Sequence, residues 1–104
     1  MELGLKGKNI IITGGGSNIG RAIVHAFAAE GSNIIIAELA PEQGEKVAQE
    51  IHSINPGTQV KVIATDVTDN AQVESMVEQS INTFGQIDCL VNNVGWTIDR
   101  LFLD

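Results

Sequence analysis

Three consecutive isoleucines, Ile10 to Ile12, run straight into Thr13-Gly14-Gly15-Gly16-Ser17-Asn18-Ile19-Gly20, and an amphipathic stretch follows. Few folds accommodate an apolar strand, a glycine-rich turn and a helix in that order. The glycines let the backbone turn tightly and approach an anion with no Cβ in the way. Backbone N–H groups and the positive end of the following helix dipole then favour negative charge. Such turns are common in isolation. Here the context adds weight, because an acid, Glu38, follows at about the 20-residue offset that a phosphate-binding unit of this kind uses.

Strands and helices alternate along the rest of the chain. Asn9–Thr13 reads as a first strand suited to burial on both faces. Ile19, Ile23, Ala26 and Phe27 recur at helical spacing, and Gly31 stands where a helix-ending glycine belongs. Asn33–Ala37 is a second strand. Pro41 opens a second helix with an apolar stripe of Val47, Ile51 and Ile54. After the turn Asn55-Pro56-Gly57, Val60–Ala64 forms a third strand. Thr68 is expected to cap a third helix with Asp69 in its first turn; Val73, Met76, Val77, Ile81 and Phe84 make its apolar face, and Gly85 ends it. Ile87–Val91 is the fourth strand, and Asp99 begins a further helix.

A βαβαβαβ pattern calls for parallel strands joined by right-handed crossovers, with helices on both faces. The expected fold is α/β: the N-terminal half of a doubly wound Rossmann sheet, strand order 3-2-1-4. Residues 1–104 then form one dinucleotide-binding domain, and a complete sheet would continue past the fourth strand, so the chain is expected to be truncated before a catalytic half.

The charge balance narrows the partners. With six Lys and Arg against thirteen acids, the net charge is −7, which disfavours nucleic acid. No apolar run reaches the roughly 18 residues that span a bilayer, and Met1-Glu2-Leu3 does not start a signal peptide. The single cysteine, Cys89, is expected as a buried strand thiol in a reducing cytoplasm. His25 and His52 share no ligand spacing and read as surface or boundary histidines, so no metal site is expected.

Three further positions carry chemistry. Glu38, at the end of the second strand, is placed to bond a ribose 2′-hydroxyl and to repel a 2′-phosphate, favouring NAD over NADP. No Arg or Lys at Ser17 or Leu39 offsets that repulsion. The plainer alternative is a solvated acid at a loop mouth. Asp66 ends the third strand, where it would accept from an adenine amino group beside the Val67 backbone, or else serve as a helix-entry carboxylate near Thr68. Asn92-Asn93-Val94-Gly95 closes the fourth strand and, taken alone, is only a polar turn.

Taken together, Thr13–Gly20, Asp66-Val67 and Asn92–Gly95 resemble the short-chain dehydrogenase/reductase family, and the resemblance extends from Leu5 to Leu103. The family turn is TGxxxGxG; here Asn18 replaces the middle glycine, and asparagine tolerates a left-handed backbone better than other side chains. Its Cβ would crowd the pyrophosphate side. The family's NNAG reads NNVG, with Val94 for alanine. Carried over residue by residue, the resemblance implies dinucleotide contacts from Gly14, Ser17, Asn18, Ile19, Gly20, Glu38, Asp66, Val67 and Asn93, with NAD as cofactor. Gly95 to Phe102 looks like branches of the family that act on oxoacyl thioesters.

The resemblance also implies an alcohol or ketone substrate, a homo-oligomeric full-length form, and catalysis by a Tyr acid/base with a Lys, a Ser and an Asn. Those residues are expected beyond position 104. The chain has no tyrosine, Lys46 and Lys61 sit in no matching motif, and Ser75 and Ser80 lie on the third helix. Hydride transfer needs a proton donor at the carbonyl oxygen, so no catalytic residue is assigned within these 104 residues. Three readings stand: the cofactor-binding part of an oxidoreductase, a non-catalytic dinucleotide-binding module or sensor, and a remnant whose turn Asn18 has spoiled.

Overall fold

The computed structural model describes residues 4–93. The elements follow as β1 (Asn9–Thr13), α1 (Asn18–Ala29), β2 (Asn33–Glu38), α2 (Pro41–Ile54), β3 (Val60–Ala64), α3 (Asn70–Phe84) and β4 (Cys89–Asn92). The four strands form one parallel sheet in the order β3-β2-β1-β4, as the alternation predicts.

The isoleucine runs explain why this sheet is the core. Ile10, Ile11 and Ile12 of β1 pair in register with Ile34, Ile35 and Ile36 of β2, and all six are essentially inaccessible to solvent. Because side chains alternate across a strand, two cores result. Ile10, Ile12, Ile34 and Ile36 pack with Val24 and Ala28 of α1 and Val47 and Ile51 of α2. Ile11, Ile35, Ala37 and Ile63 pack on the other face with Met76 of α3. The shared register also brings Thr13, Ala37 and Asn92 level, with Glu38 paired to Ala64. The carboxyl ends of all four strands therefore reach one edge.

Several expectations are corrected. Asp69, not Thr68, caps α3: its carboxylate accepts from the Ala71 and Gln72 N–H groups, at 3.0 and 3.4 Å, and the helix starts at Asn70. β4 starts at Cys89, not Ile87, because Asp88 replaces part of the ladder; its Oδ2 accepts the Asn9 N–H at 2.8 Å. β2 runs one residue further, through Glu38.

The apolar stripes are also narrower than their periodicity suggests. In α3 only Met76 and Ser80 are buried, while Val77 and Ile81 are exposed. Ile54 and Ile19 face solvent, and α1 buries Gly20, Val24 and Ala28 instead. Cys89 is exposed rather than buried. Leu90, beside Ile11 in the register, is 53 % exposed. Periodicity marks a face as apolar; whether anything covers it depends on the neighbouring layer. The expected helix at Asp99 lies outside the described residues. Among the described residues no helix is long and apolar enough to cross a membrane.

One polar cluster joins α1 to α2. Glu50 Oε1 accepts from Arg21 Nε at 2.7 Å and pairs with His25 Nε2 at 2.8 Å. His25 is half-buried, as a boundary histidine should be, whereas His52 is exposed. The hydrogen bond from His25, and after it the one from Arg21, holds the Glu50 carboxyl below its usual range.

Two predictions follow from these contrasts. Ile36→Ala should cost about 2–5 kcal/mol in chemical denaturation, as a fully buried truncation does, whereas the exposed Ile81→Ala should stay within about 0.5 kcal/mol. For Glu50 the folded pKa is depressed, so its stabilising contribution is present above the unfolded value and is lost as pH falls through the folded one. The melting-temperature gap between the native protein and Glu50→Gln should therefore be open near neutral pH and close on acidification below the ordinary carboxylate range.

Candidate functional site

The glycine turn grows directly out of the β1–β2 ladder. Gly14 N–H donates to the Ala37 carbonyl at 2.8 Å, one step past the last paired residue of β1, and Gly14 itself takes a φ of +66° that favours glycine. Ser17 then caps α1: its hydroxyl accepts the Gly20 N–H at 3.1 Å and donates to the Gly14 carbonyl at 2.8 Å. A Cβ on Gly20 would overlap the Gly14 carbonyl, so the helix start can press onto the turn only if that side chain is missing.

Asn93 closes the turn from the far strand. Its side-chain nitrogen donates to Ser17 Oγ at 2.9 Å and to the Gly14 carbonyl at 3.2 Å, and its backbone N–H donates to Thr13 Oγ1 at 3.0 Å. The Thr13 hydroxyl in turn donates to Asn92 Oδ1 at 3.0 Å. Sequence reasoning missed Thr13 as a site residue. Its signal was available, a hydroxyl at the head of the motif on the strand that must neighbour Asn92-Asn93.

Asn18 is the first residue of α1 and needs no left-handed backbone, since no non-glycine residue among those described has a positive φ. The expectation that Asn18 survives by tolerating that conformation is corrected: Ser17 takes the extended cap position and Asn18 is already helical. Among the described residues, the N–H groups of Asn18 and Ile19 meet no protein acceptor. Both residues are exposed, so the helix N-terminus presents two donors outward, which suits an anion.

Glu38 is not a solvated acid. It is 9 % exposed, with Oε1 accepting the Gly16 N–H at 2.9 Å and Oε2 accepting the Ala40 N–H at 3.2 Å. Asp66 stands apart from this network. Its Oδ1 accepts from the Thr68 hydroxyl at 2.6 Å and the Thr68 N–H at 3.0 Å, which hold the carboxyl below its usual range in that order. This is the helix-entry arrangement that the sequence left open. Asp66 N–H donates to Gln72 Oε1 at 2.8 Å, a partner that spacing alone did not reveal. Val67 follows, half-buried. The structure thus gathers Gly14, Ser17, Gly20, Glu38 and Asn93 around one turn, with Asn18 and Ile19 at its mouth. Asp66 and Val67 lie at the same sheet edge without a bond to it. Val94 and Gly95, and the segment on to Phe102, lie outside the described residues.

The family model of short chain dehydrogenases matches residues 8–104. The chain belongs to this family.

Within the family, the chain is 39 % identical to L-fucose dehydrogenase of Bos taurus over 90 residues, 86 % of this chain and 31 % of the relative. Among solved structures it superposes on a hydroxysteroid dehydrogenase from Escherichia coli with a TM-score of 0.82 at 32 % identity, covering 88 % of this chain and 38 % of that one. It also matches a 3-ketoacyl-(acyl-carrier-protein) reductase from Brucella melitensis complexed with NADH, with a TM-score of 0.74 at 34 % identity, covering 83 % of this chain and 33 % of that one. The chain spans between 31 % and 38 % of the length of these relatives.

Gly20→Ala tests the packing of the turn. The new methyl has the Gly14 carbonyl in its path, and forcing the two apart should cost about 1–3 kcal/mol or more in chemical denaturation. An unchanged midpoint would show that the turn yields freely.

Proposed function

We propose that this chain is the dinucleotide-binding part, residues 1–104, of an NAD(H)-dependent oxidoreductase that interconverts a secondary alcohol and a ketone. The observation that carries the proposal is Glu38, a nearly buried carboxylate beside Gly16 with both oxygens oriented by backbone N–H groups. A negative charge fixed there accepts from a ribose hydroxyl and repels a 2′-phosphate. The residues present fit a dinucleotide on structural grounds. The glycines let the turn pack tightly against the protein, and the Asn18 and Ile19 N–H groups offer donors to a pyrophosphate.

In this reading Gly14, Ser17 and Gly20 shape the cradle, Asn18 and Ile19 bind the pyrophosphate, and Asn93 holds the cradle to β4. Glu38 orients the adenosine ribose, and Asp66 with Val67 flanks the adenine. The bound nicotinamide would supply a hydride. Proton donation at the carbonyl oxygen falls to a group outside these residues, which contain no tyrosine. Support for a dinucleotide comes from the NADH in the similar Brucella reductase, whose 3-ketoacyl thioester chemistry makes an oxoacyl thioester our candidate substrate. A cytoplasmic location rests on the single cysteine, and a homo-oligomeric full-length form on family resemblance.

One second reading is a binding module that holds the dinucleotide without turnover. Calorimetric titration tests the common part. NADH should bind saturably, and NADPH at least about tenfold more weakly, the equivalent of roughly 1.4 kcal/mol of repulsion. Equal affinity for both would overturn the assignment of Glu38. Turnover of a 3-oxoacyl thioester with NADH by a longer form carrying a Tyr-x-x-x-Lys continuation would retire the module reading.

A further inference from the structure

The bonds made by Glu38 point to a second role that the ribose contact does not require. A residue that only had to meet a ribose could hold its carboxylate out at the loop mouth. Instead the side chain lies back against the turn, and each oxygen takes a different backbone donor: Gly16 N–H on Oε1 and Ala40 N–H on Oε2. These donors belong to two separate segments, the glycine turn after β1 and the entry to α2 after β2.

Packing around Gly16 agrees. A Cβ built there would sit 2.7 Å from Glu38 Oε1, 2.8 Å from Gln43 Cβ and 3.0 Å from the Gln43 carbonyl carbon. Gly16 therefore lacks a side chain because the acid and the first turn of α2 close against it. The backbone of Glu38 is itself fixed, since its carbonyl accepts the Thr65 N–H at 3.0 Å and its Cα pairs in register with Ala64 of β3. A continuous run of bonds thus goes from β3, through Glu38, to the glycine turn.

We propose that Glu38 is a positioning residue for the glycine turn: its carboxylate ties Gly16 to Ala40 and sets the cradle's shape before any dinucleotide arrives. The inference rests on the dinucleotide reading for its functional consequence, but both bonds of the tie lie entirely within the protein. It reverses one expectation. If Glu38 acted only by repelling a 2′-phosphate, neutralising it would improve NADPH binding. With the tie broken, two half-buried donors lose their acceptor and the cradle loosens, so both dinucleotides suffer. Glutamine is no substitute here. Its amide oxygen can accept from one of the two N–H groups, but its NH₂ then faces the other donor.

The test uses Glu38→Gln and Glu38→Ser in the full chain, with two measurements. Amide hydrogen exchange without ligand should be at least about tenfold faster at both Gly16 and Ala40 in Glu38→Ser and at one of the two or both in Glu38→Gln, while the core amides of Ile12 and Ile36 keep native protection. Titration calorimetry should then show NADH weakened at least about tenfold and NADPH bound no more tightly than by the native protein. Native protection at Gly16 and Ala40 overturns the tie; so does a variant that binds NADPH tenfold better than the native protein. Failure of the native protein to bind NADH would instead defeat the dinucleotide reading, and the exchange measurement would still decide whether the tie exists.

Discussion

The parallel ladder between β1 and β2 is the constraint on which everything else hangs. Ile10–Ile12 and Ile34–Ile36 can be hidden on both faces only if helices lie above and below the sheet, and the two cores do that. Burying one isoleucine is worth about 1.5–3 kcal/mol, so a slip of register would be heavily opposed. The register has a chemical consequence as well. Pairing Thr13 with Ala37 hands the next N–H, that of Gly14, to the Ala37 carbonyl, and sets Glu38 beside the turn.

At the carboxyl edge of the sheet the same atoms serve fold and site. The Ser17 hydroxyl caps α1, receives the Asn93 amide and supports the Gly14 carbonyl. Thr13 links β1 to Asn92 of β4 and to Asn93 just after it. The glycines follow the same logic. Gly15 is crowded by Ile36 and Val24, Gly16 by Glu38 and Gln43, and Gly20 by the Gly14 carbonyl. Their missing side chains are explained first by protein packing, and that packing leaves the surface that an anion would approach. Substitutions at these positions therefore alter the cradle without touching a ligand.

How far the chain could be read from its residues varied with the kind of signal. The isoleucine runs located β1 and β2, and Gly31 and Gly85 marked the ends of α1 and α3. Competing caps were harder. Thr68 and Asp69 are both good N-cap residues, and Asp66 decided between them by taking the Thr68 N–H and hydroxyl for its own turn. Val77 and Ile81 sit at helical spacing with Met76, yet only Met76 reaches the sheet. Cys89 and Leu90 belong to an apolar strand that, among the described residues, pairs on one side only.

Strand order and family were determined by the sequence alone. Local chemistry carries that information: β-branched runs make strands, a glycine-rich turn must precede a helix, and alternation forces parallel pairing. The tertiary structure alone decided what those residues do to one another. Glu38 could have been a solvated acid until β2 and α2 enclosed it with two backbone donors. Asp66 could have stood free at the sheet edge until Thr68 claimed one oxygen, and Asn18 could have strained the turn until Ser17 took the cap. Each outcome depends on donors brought in from elsewhere in the chain, and proximity of that kind is a property of the packed sheet rather than of any sequence window.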